Sequence, residues 1–208
     1  MATAHKAKVV AVNAAWRAEV EEPIRTRRLT RIEYDALIER GVLDEDDPIE
    51  LLEGRLCFRG EHRGSPHEAA SIRARLAVDR ALRPGHHVRS HFPTGRDDPS
   101  EHWPDLVALR GRYQDYLDEY PSRPVLVVEI ADSTLARDRG KGARYARAGI
   151  ADYWIMNLAG RTLEVYRRPV KTPARCWKYR SVRVLKPRAT VSPLAAPRAR
   201  LRVADLLP

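Results

Sequence analysis

The pattern of apolar and polar positions divides the chain into short strands and helices. The run at 124–131 (PVLVVEIA) is the most apolar in the sequence, which is typical of a buried central strand, and its single charged residue is Glu129. Two extended runs within 49–59 flank Glu53 and Gly54, a pairing that predicts a β-hairpin. Shorter apolar or alternating segments predict further strands at 87–92, 104–109, 152–157, 162–167 and 177–184.

Three segments have the spacing of helices. Thr30 and Glu33 form a capping box at the start of a helix that Gly41 can end. A second helix is predicted over 66–82, with a core face formed by Ala69, Ile72, Leu76 and Ala77. A third begins at Ser133 or Thr134 and runs to Gly149. The order of elements predicts a mixed α/β (α+β) fold, in which a central sheet is flanked by helices.

The length of 208 residues suits one domain with short extensions. We expect an N-terminal arm at 1–28, a folded domain at 29–185, and a basic Pro/Arg-rich segment at 186–208 with a short apolar end. The first 20 or so residues and the stretch 186–202 are expected to be flexible. No apolar run has the ~18 residues of a membrane span and no signal peptide is recognisable. Two cysteines form no disulfide framework, so the expected location is the cytoplasm.

Positive charge is concentrated at the end of the chain. Residues 1–160 hold 25 basic and 26 acidic residues, a balance of −1, whereas residues 161–208 hold 13 basic and 2 acidic, a balance of +11. Such an excess favours a polyanionic partner, although basic segments are often only solvated. The stretch 33–53 is acidic, with nine carboxylates against Arg40 alone.

Lysine is rare in this chain, which contains 32 arginines and 6 lysines. Between Lys8 and Lys171 the only lysine is Lys141. Lysine offers a point charge that can shift its pKa, which arginine does not, so Lys141 is a candidate for chemistry. Codon bias with random placement explains the same observation equally well.

Two carboxylates are placed at predicted strand ends. Asp105 begins the strand at 104–109, and Glu129 lies near the end of the apolar strand 24 residues later. An ionised carboxylate in apolar surroundings is costly unless it is paired or binds a cation. Two such groups on neighbouring strands would favour Mg²⁺ or Mn²⁺, which prefer oxygen ligands. The alternatives are that Glu129 points to solvent from an edge strand or pairs with a buried arginine.

Downstream of Glu129, a polar stripe follows one face of the predicted third helix. Its members share spacings of three or four residues: Thr134, Asp138, Lys141 and Tyr145. The stripe either faces solvent or lies against the sheet edge where Glu129 ends. Motifs of other site classes are incomplete: His67-Glu68 lacks the second histidine of a zinc helix, and no phosphate-binding glycine loop is present.

Several motifs together resemble the Uma2 family, a restriction-endonuclease domain family of the PD-(D/E)XK nuclease superfamily. The resemblance covers about residues 29–207. In chain order its pieces are IELLEGRL at 49–56, His67 opening a helix, PDLVAL at 104–109, PVLVVEIADST at 124–134, DxxKxxxY at 138–145, AGIADYW at 148–154 and LEVYR at 163–167. Each piece alone is weakly specific, but the order and spacing of all the pieces together make the match more specific.

This resemblance implies a restriction-endonuclease-like core that binds Mg²⁺ (or Mn²⁺) and hydrolyses phosphodiester bonds. The implied catalytic residues are Asp105, Glu129 and Lys141. Metal ligands would be Asp105 and Glu129 with Glu50, for which Glu53 is a less favoured substitute. His67 and Tyr145 would support the ligands or contact a phosphate, with helix packing as the alternative role.

The sequence departs from the family pattern beside Glu129. The usual superfamily lysine, two residues after the second acid, is replaced by Ala131, and Lys141 resembles a migrated substitute. Asp132 follows where the family tends to have proline after serine.

The resulting expectation is a Mg²⁺-dependent endonuclease that acts on nucleic acid, double-stranded DNA above all, as a possible homodimer and not at a membrane. One alternative is a catalytically inactive nucleic-acid-binding protein on a nuclease fold. Another is a protein-binding module that docks through its acidic stretch at 33–53.

Overall fold

The computed structural model describes residues 27–44, 47, 49–52, 54–58, 65–91, 103–116 and 123–208, without the side chains of 50, 52 and 58. Most of the expected arm at 1–28, and Glu53, lie outside the described residues. The elements are α1 (Arg31–Glu39), β1 (Ile49–Leu52), β2 (Arg55–Phe58), α2 (Ser65–Leu82), β3 (His86–Ser90), β4 (Leu106–Arg110), a 3₁₀ turn (Tyr113–Tyr116), β5 (Leu126–Ala131), α3 (Leu135–Arg147), β6 (Asp152–Asn157), β7 (Thr162–Lys171), β8 (Trp177–Leu185), β9 (Thr190–Val191), β10 (Leu201–Arg202) and α4 (Val203–Leu206).

A six-stranded sheet in the order β3-β4-β5-β6-β7-β8 forms the centre of the molecule. Only the β5–β6 pair is parallel, and the four other pairs are antiparallel. All six residues of β5 are buried, as expected of a strand with apolar residues on both faces. Helix α2 packs on one face and α3 on the other, so the predicted mixed α/β fold is confirmed.

The buried face of α2 differs from the predicted one. Small side chains, Ala70, Ala74 and Val78, lie against the sheet, whereas Ile72 and Leu76 are 52% and 56% exposed. A row of small residues lets a helix pack closely against its neighbour. The row at 70, 74 and 78 has the i, i+4 spacing that every helix face has, so spacing alone does not distinguish it from the predicted face. The prediction of a core face through Ile72 and Leu76 was therefore wrong.

The C-terminal segment is folded against the sheet, so the expectation of a flexible stretch at 186–202 was wrong. Asp152 is fully buried, and its carboxylate accepts hydrogen bonds from the backbone N–H of Leu194 (2.8 Å) and from the Arg167 guanidinium. Arg167 also donates to the backbone carbonyl of Ser192 (2.6 Å). Val203 and Leu206 join the core beneath α2. Polar anchors of this kind are not visible as a sequence pattern.

Helix α1 and the β1–β2 hairpin form as predicted. The capping box between Thr30 and Glu33 is complete at the start of α1. The hairpin turns at Gly54, which has φ +77° and whose added Cβ would lie 2.6 Å from the Cβ of Arg28. The Tyr34 hydroxyl donates to the backbone carbonyl of Ile49 and so ties α1 to β1. Among the described residues, no helix is long and apolar enough to cross a membrane.

Candidate active site

The strand register brings Asp105 beside Glu129. Leu106 pairs with Val128 across the antiparallel β4–β5 ladder, so the register extended by one residue places Asp105 opposite Glu129. On the other side, the backbone N–H of His91 donates to the Asp105 carbonyl (3.2 Å). The two carboxylates predicted from the sequence therefore meet at the end of β5.

Asp105 is buried and held by groups from three elements. Its Oδ2 accepts a hydrogen bond from the backbone N–H of Ile130 in β5 (2.8 Å). Its Oδ1 lies 3.4 Å from His67 Nε2 of α2 and 3.9 Å from His91 Nδ1, just after β3. His67 thus lies beside Asp105, and its role there stays a prediction, while the proximity of His91 was not predicted.

Glu129 is bound by two side chains from α3. Lys141 Nζ lies 3.1 Å from Glu129 Oε1, and the Tyr145 hydroxyl donates to the same oxygen at 2.7 Å. Glu129 is 2% exposed and Lys141 is 4% exposed. Lys141 lies about two turns into its helix, but α3 lies across the sheet and delivers the ammonium to the end of β5.

Asp138 is a further member of this buried network. Its Oδ1 lies 3.2 Å from Lys141 Nζ, and its Oδ2 accepts a hydrogen bond from the Thr134 hydroxyl (2.5 Å). The Tyr153 hydroxyl donates to the Asp138 backbone carbonyl (2.7 Å). The polar stripe along α3 therefore faces the sheet rather than solvent. Sequence reasoning placed Asp138 on this stripe but assigned it no role, although its spacing from Lys141 was the available signal.

The electrostatics of the site are dominated by negative charge. Burial raises the pKa of Glu129 to about 8, and the neighbouring carboxylates of Asp105 and Asp138 act in the same direction. The Lys141 ammonium and the Tyr145 hydrogen bond act against this rise. Among the described residues, the three carboxylates of Asp105, Glu129 and Asp138 lie around the Lys141 ammonium, a grouping that favours the binding of a cation or a proton.

A separate ion pair anchors α3 to the sheet. Glu164 lies in the same cross-strand row as Glu129, through Ile155 of β6. Arg139 binds the Glu164 carboxylate with two guanidinium nitrogens, and the Tyr166 hydroxyl donates to it at 2.6 Å. Burial alone would raise the pKa of Glu164, but these hydrogen bonds hold it below the ordinary value. The pair positions the helix that carries Lys141.

Comparison with known protein families gives a match over most of the chain. The model of the Uma2 family, described as "putative restriction endonuclease", matches residues 32–204. This chain belongs to the Uma2 family. Membership supports a nuclease function and, with it, a nucleic-acid substrate.

A solved structure shows the same fold. The crystal structure of a protein from Anabaena variabilis, described as a putative nuclease belonging to DUF820, superposes on this Uma2 chain with a TM-score of 0.65. The two chains are 19% identical, and the match covers 82% of this chain and 96% of the other. At this identity the likeness establishes the fold alone. No curated protein matches the chain in sequence.

The donor set of this Uma2 chain is compatible with a divalent cation that keeps several waters. The described residues contain no group of three or more His, Cys, Asp or Glu side chains arranged to hold a metal ion. Asp105 and Glu129 offer two buried carboxylates, and Mg²⁺ commonly uses one or two protein carboxylates plus water and phosphate oxygens. Glu50 lies in β1, but its side chain is outside the described residues, so its role as a third ligand stays a prediction.

Proposed function

We propose that this Uma2-family chain is a Mg²⁺- or Mn²⁺-dependent endonuclease that hydrolyses phosphodiester bonds of double-stranded DNA. The observation that supports it most is the buried pair of Asp105 and Glu129 with Lys141 against the second carboxylate. Two buried carboxylates at neighbouring strand ends, with an ammonium beside one of them, supply the oxygen ligands and the fixed cation that metal-assisted phosphodiester hydrolysis uses.

The contacts of the described site residues support a role for each of them in metal binding. Asp105 and Glu129 would hold the metal, which lowers the pKa of a bound water and offsets charge on the phosphate when it is present. The backbone N–H of Ile130 fixes the Asp105 carboxylate, and His67 borders its other oxygen. Glu50 would complete the ligand set.

Lys141 would act as a fixed cationic donor beside the reacting phosphate. A preorganised donor stabilises charge that develops in the transition state without reorganising at that moment. Asp138 would keep the ammonium in place, because it binds Nζ from one turn earlier on α3. Tyr145 would orient the Glu129 carboxylate through its hydroxyl.

The direct test is nicking and linearisation of supercoiled plasmid by the purified full chain, with Mg²⁺ or Mn²⁺ and with EDTA as the blank. Asp105→Asn and Glu129→Gln should abolish metal-dependent cleavage while circular dichroism shows a folded chain. Asp35→Asn is the matched control: within the described residues the Asp35 carboxylate pairs with Arg31 of α1, away from the site, so the change should leave cleavage unchanged. Equal cleavage by all variants would indicate a contaminating nuclease and reject the assignment.

A second candidate function is nucleic-acid binding without turnover. Ala131, at the usual position of the superfamily lysine, favours it, because the residue is fully buried and brings no charge. Tight, salt-sensitive DNA binding together with no cleavage under any divalent metal would support this candidate over the enzyme.

A further inference from the structure

A groove of about 580 Å³ separates α2 from the C-terminal segment on the face of the sheet opposite α3. Its floor consists of leucine and alanine side chains, including the exposed Leu76 of α2. Charged residues border it on both sides: Arg73 and Arg80 on α2, and Arg200, Arg202 and Asp205 on the C-terminal segment. Of the residues predicted to form the core face of α2, Leu76 and Ala77 line this groove.

The groove is strongly positive. Its one acid, Asp205, is already paired with Arg202 at 3.0 Å. Arg73 donates to a neutral group, the backbone carbonyl of Leu207 (3.1 Å). Within the described part of the chain, Arg80 and Arg200 form no ion pair, and both are exposed. No carboxylate occurs between residues 165 and 204, so Asp205 is the one side-chain carboxylate that the C-terminal segment contributes to the groove. The three remaining guanidinium groups, of Arg73, Arg80 and Arg200, give the groove a net positive charge that attracts an anionic partner.

Helix α2 links this groove to the candidate active site. Its first turn brings His67 to Asp105, and Arg73 and Arg80 follow about 9 Å and about 20 Å further along the helix axis, at 1.5 Å per residue. Twenty ångströms is roughly six base pairs of a duplex. A nucleic acid whose scissile phosphate lies at Asp105 would thus need only a short flank to reach the groove.

We propose that the groove between α2 and the C-terminal segment binds the phosphate backbone of the nucleic acid on one side of the scissile bond. This inference rests on the proposed nuclease function. Arginine binds phosphate oxygens with paired N–H donors, and the exposed Leu76 offers apolar contact to the sugars. An acidic peptide has similar charge, but the continuity of α2 from the groove to Asp105 favours the substrate itself.

The test is equilibrium binding of the full chain to a fluorescent 30-base-pair duplex, measured by anisotropy in EDTA over a range of salt concentrations. The groove variant is Arg80→Ala with Arg200→Ala. Lys178→Ala with Arg180→Ala removes the same charge from β8 and is the matched control. If two phosphate contacts are lost, the slope of log K against log salt should decrease by about 1.8. If the two lines meet at 1 M salt, this slope change makes the affinity of the groove variant at 0.15 M salt about 30-fold weaker than that of the wild-type chain.

The inference is supported if the groove variant shows both changes, the β8 variant shows neither, and Arg80→Lys with Arg200→Lys retains the slope. It is overturned if the groove and β8 variants lose affinity for DNA equally. It is also overturned if the groove variant binds DNA like the wild type but no longer binds an acidic peptide of glutamate and leucine, the alternative occupant, in the same anisotropy assay. Plasmid cleavage in Mg²⁺ separates the two proposals. An active wild type with unchanged DNA binding in the groove variant rejects the groove alone, and an inactive wild type rejects the nuclease.

Discussion

Replacing Lys141 by methionine separates its structural role from its chemical one. The ammonium is 4% exposed and lies between Glu129 and Asp138, at 3.1 and 3.2 Å. Methionine keeps most of the side-chain length but removes the charge. Without Lys141, the already raised pKa of Glu129 should rise further, so that its carboxyl stays protonated at pH 7. Asp138 is then left as the buried charge without a cation.

The cost follows from that unpaired charge. Removing one partner of a buried ion pair typically destabilises a protein by about 3–5 kcal/mol. In a chain of this size each kcal/mol shifts the melting temperature by about 2–4 °C, so a fall of roughly 6–20 °C is expected. The double variant Lys141→Met with Asp138→Asn should recover part of this loss, because an amide can still accept the Thr134 hydrogen bond without carrying charge.

Cleavage should not recover with stability. Loss of one preorganised donor to a developing negative charge typically lowers turnover about 10²- to 10³-fold. We therefore expect both Lys141 variants to nick plasmid at least about 100-fold more slowly than wild type under single-turnover conditions. Lys178→Met on β8 is the control and should match wild type in melting temperature and in rate. If the double variant regains both stability and wild-type cleavage, Lys141 is only a counterion and the catalytic argument is wrong.

Three further predictions address the metal, the helix anchor and the C-terminal segment. Mg²⁺ affinity measured by calorimetry should rise about tenfold from pH 6 to pH 7 and then level off above pH 8, because the metal must displace the proton that Glu129 holds below its pKa of about 8. A flat profile would exclude Glu129 as a ligand. Arg139→Ala should slow cleavage and lower the melting temperature, because it loosens α3 and leaves the Glu164 carboxylate without its arginine. The further change Glu164→Gln should restore part of the cleavage rate and part of the melting temperature. If neither is restored, the anchoring role of the pair is refuted. Leu206→Ala should cost about 2–5 kcal/mol in urea unfolding, whereas the exposed Leu194→Ala should cost little; equal effects would contradict the packing of α4 on the core.

The strand and the helix that carry Glu129 and Lys141 could be predicted because their signals are local. A run that is apolar except for one carboxylate predicts a buried strand. The spacing of three or four residues from Thr134 to Tyr145 predicts that these side chains share one helix face. The sequence could not show whether that face meets solvent or the sheet, because the answer depends on the partner of the Lys141 ammonium, and that partner, Glu129, lies on a different element.

The errors came from contacts between residues far apart in sequence. Segment 186–202 looked like an arm because it is rich in arginine and proline, yet the buried carboxylate of Asp152 binds it 42 residues away through Leu194. On α2, the larger side chains at 72 and 76 suggested a core face, but close packing favoured the alanines. In both cases the deciding partner was on another element, where no spacing along the sequence reveals it.

The position of the lysine follows from how the space beside Glu129 is filled. Residues 129 and 131 point to the same face of β5, because side chains alternate along a strand. Ala131 is fully buried there, within the cluster that includes Tyr145 and Ala146 of α3. A lysine at 131 would therefore have to displace the helix, whereas a lysine on that helix reaches the carboxylate without overpacking. Moving the cation back, by Ala131→Lys with Lys141→Ala, should accordingly unfold the site rather than restore its chemistry.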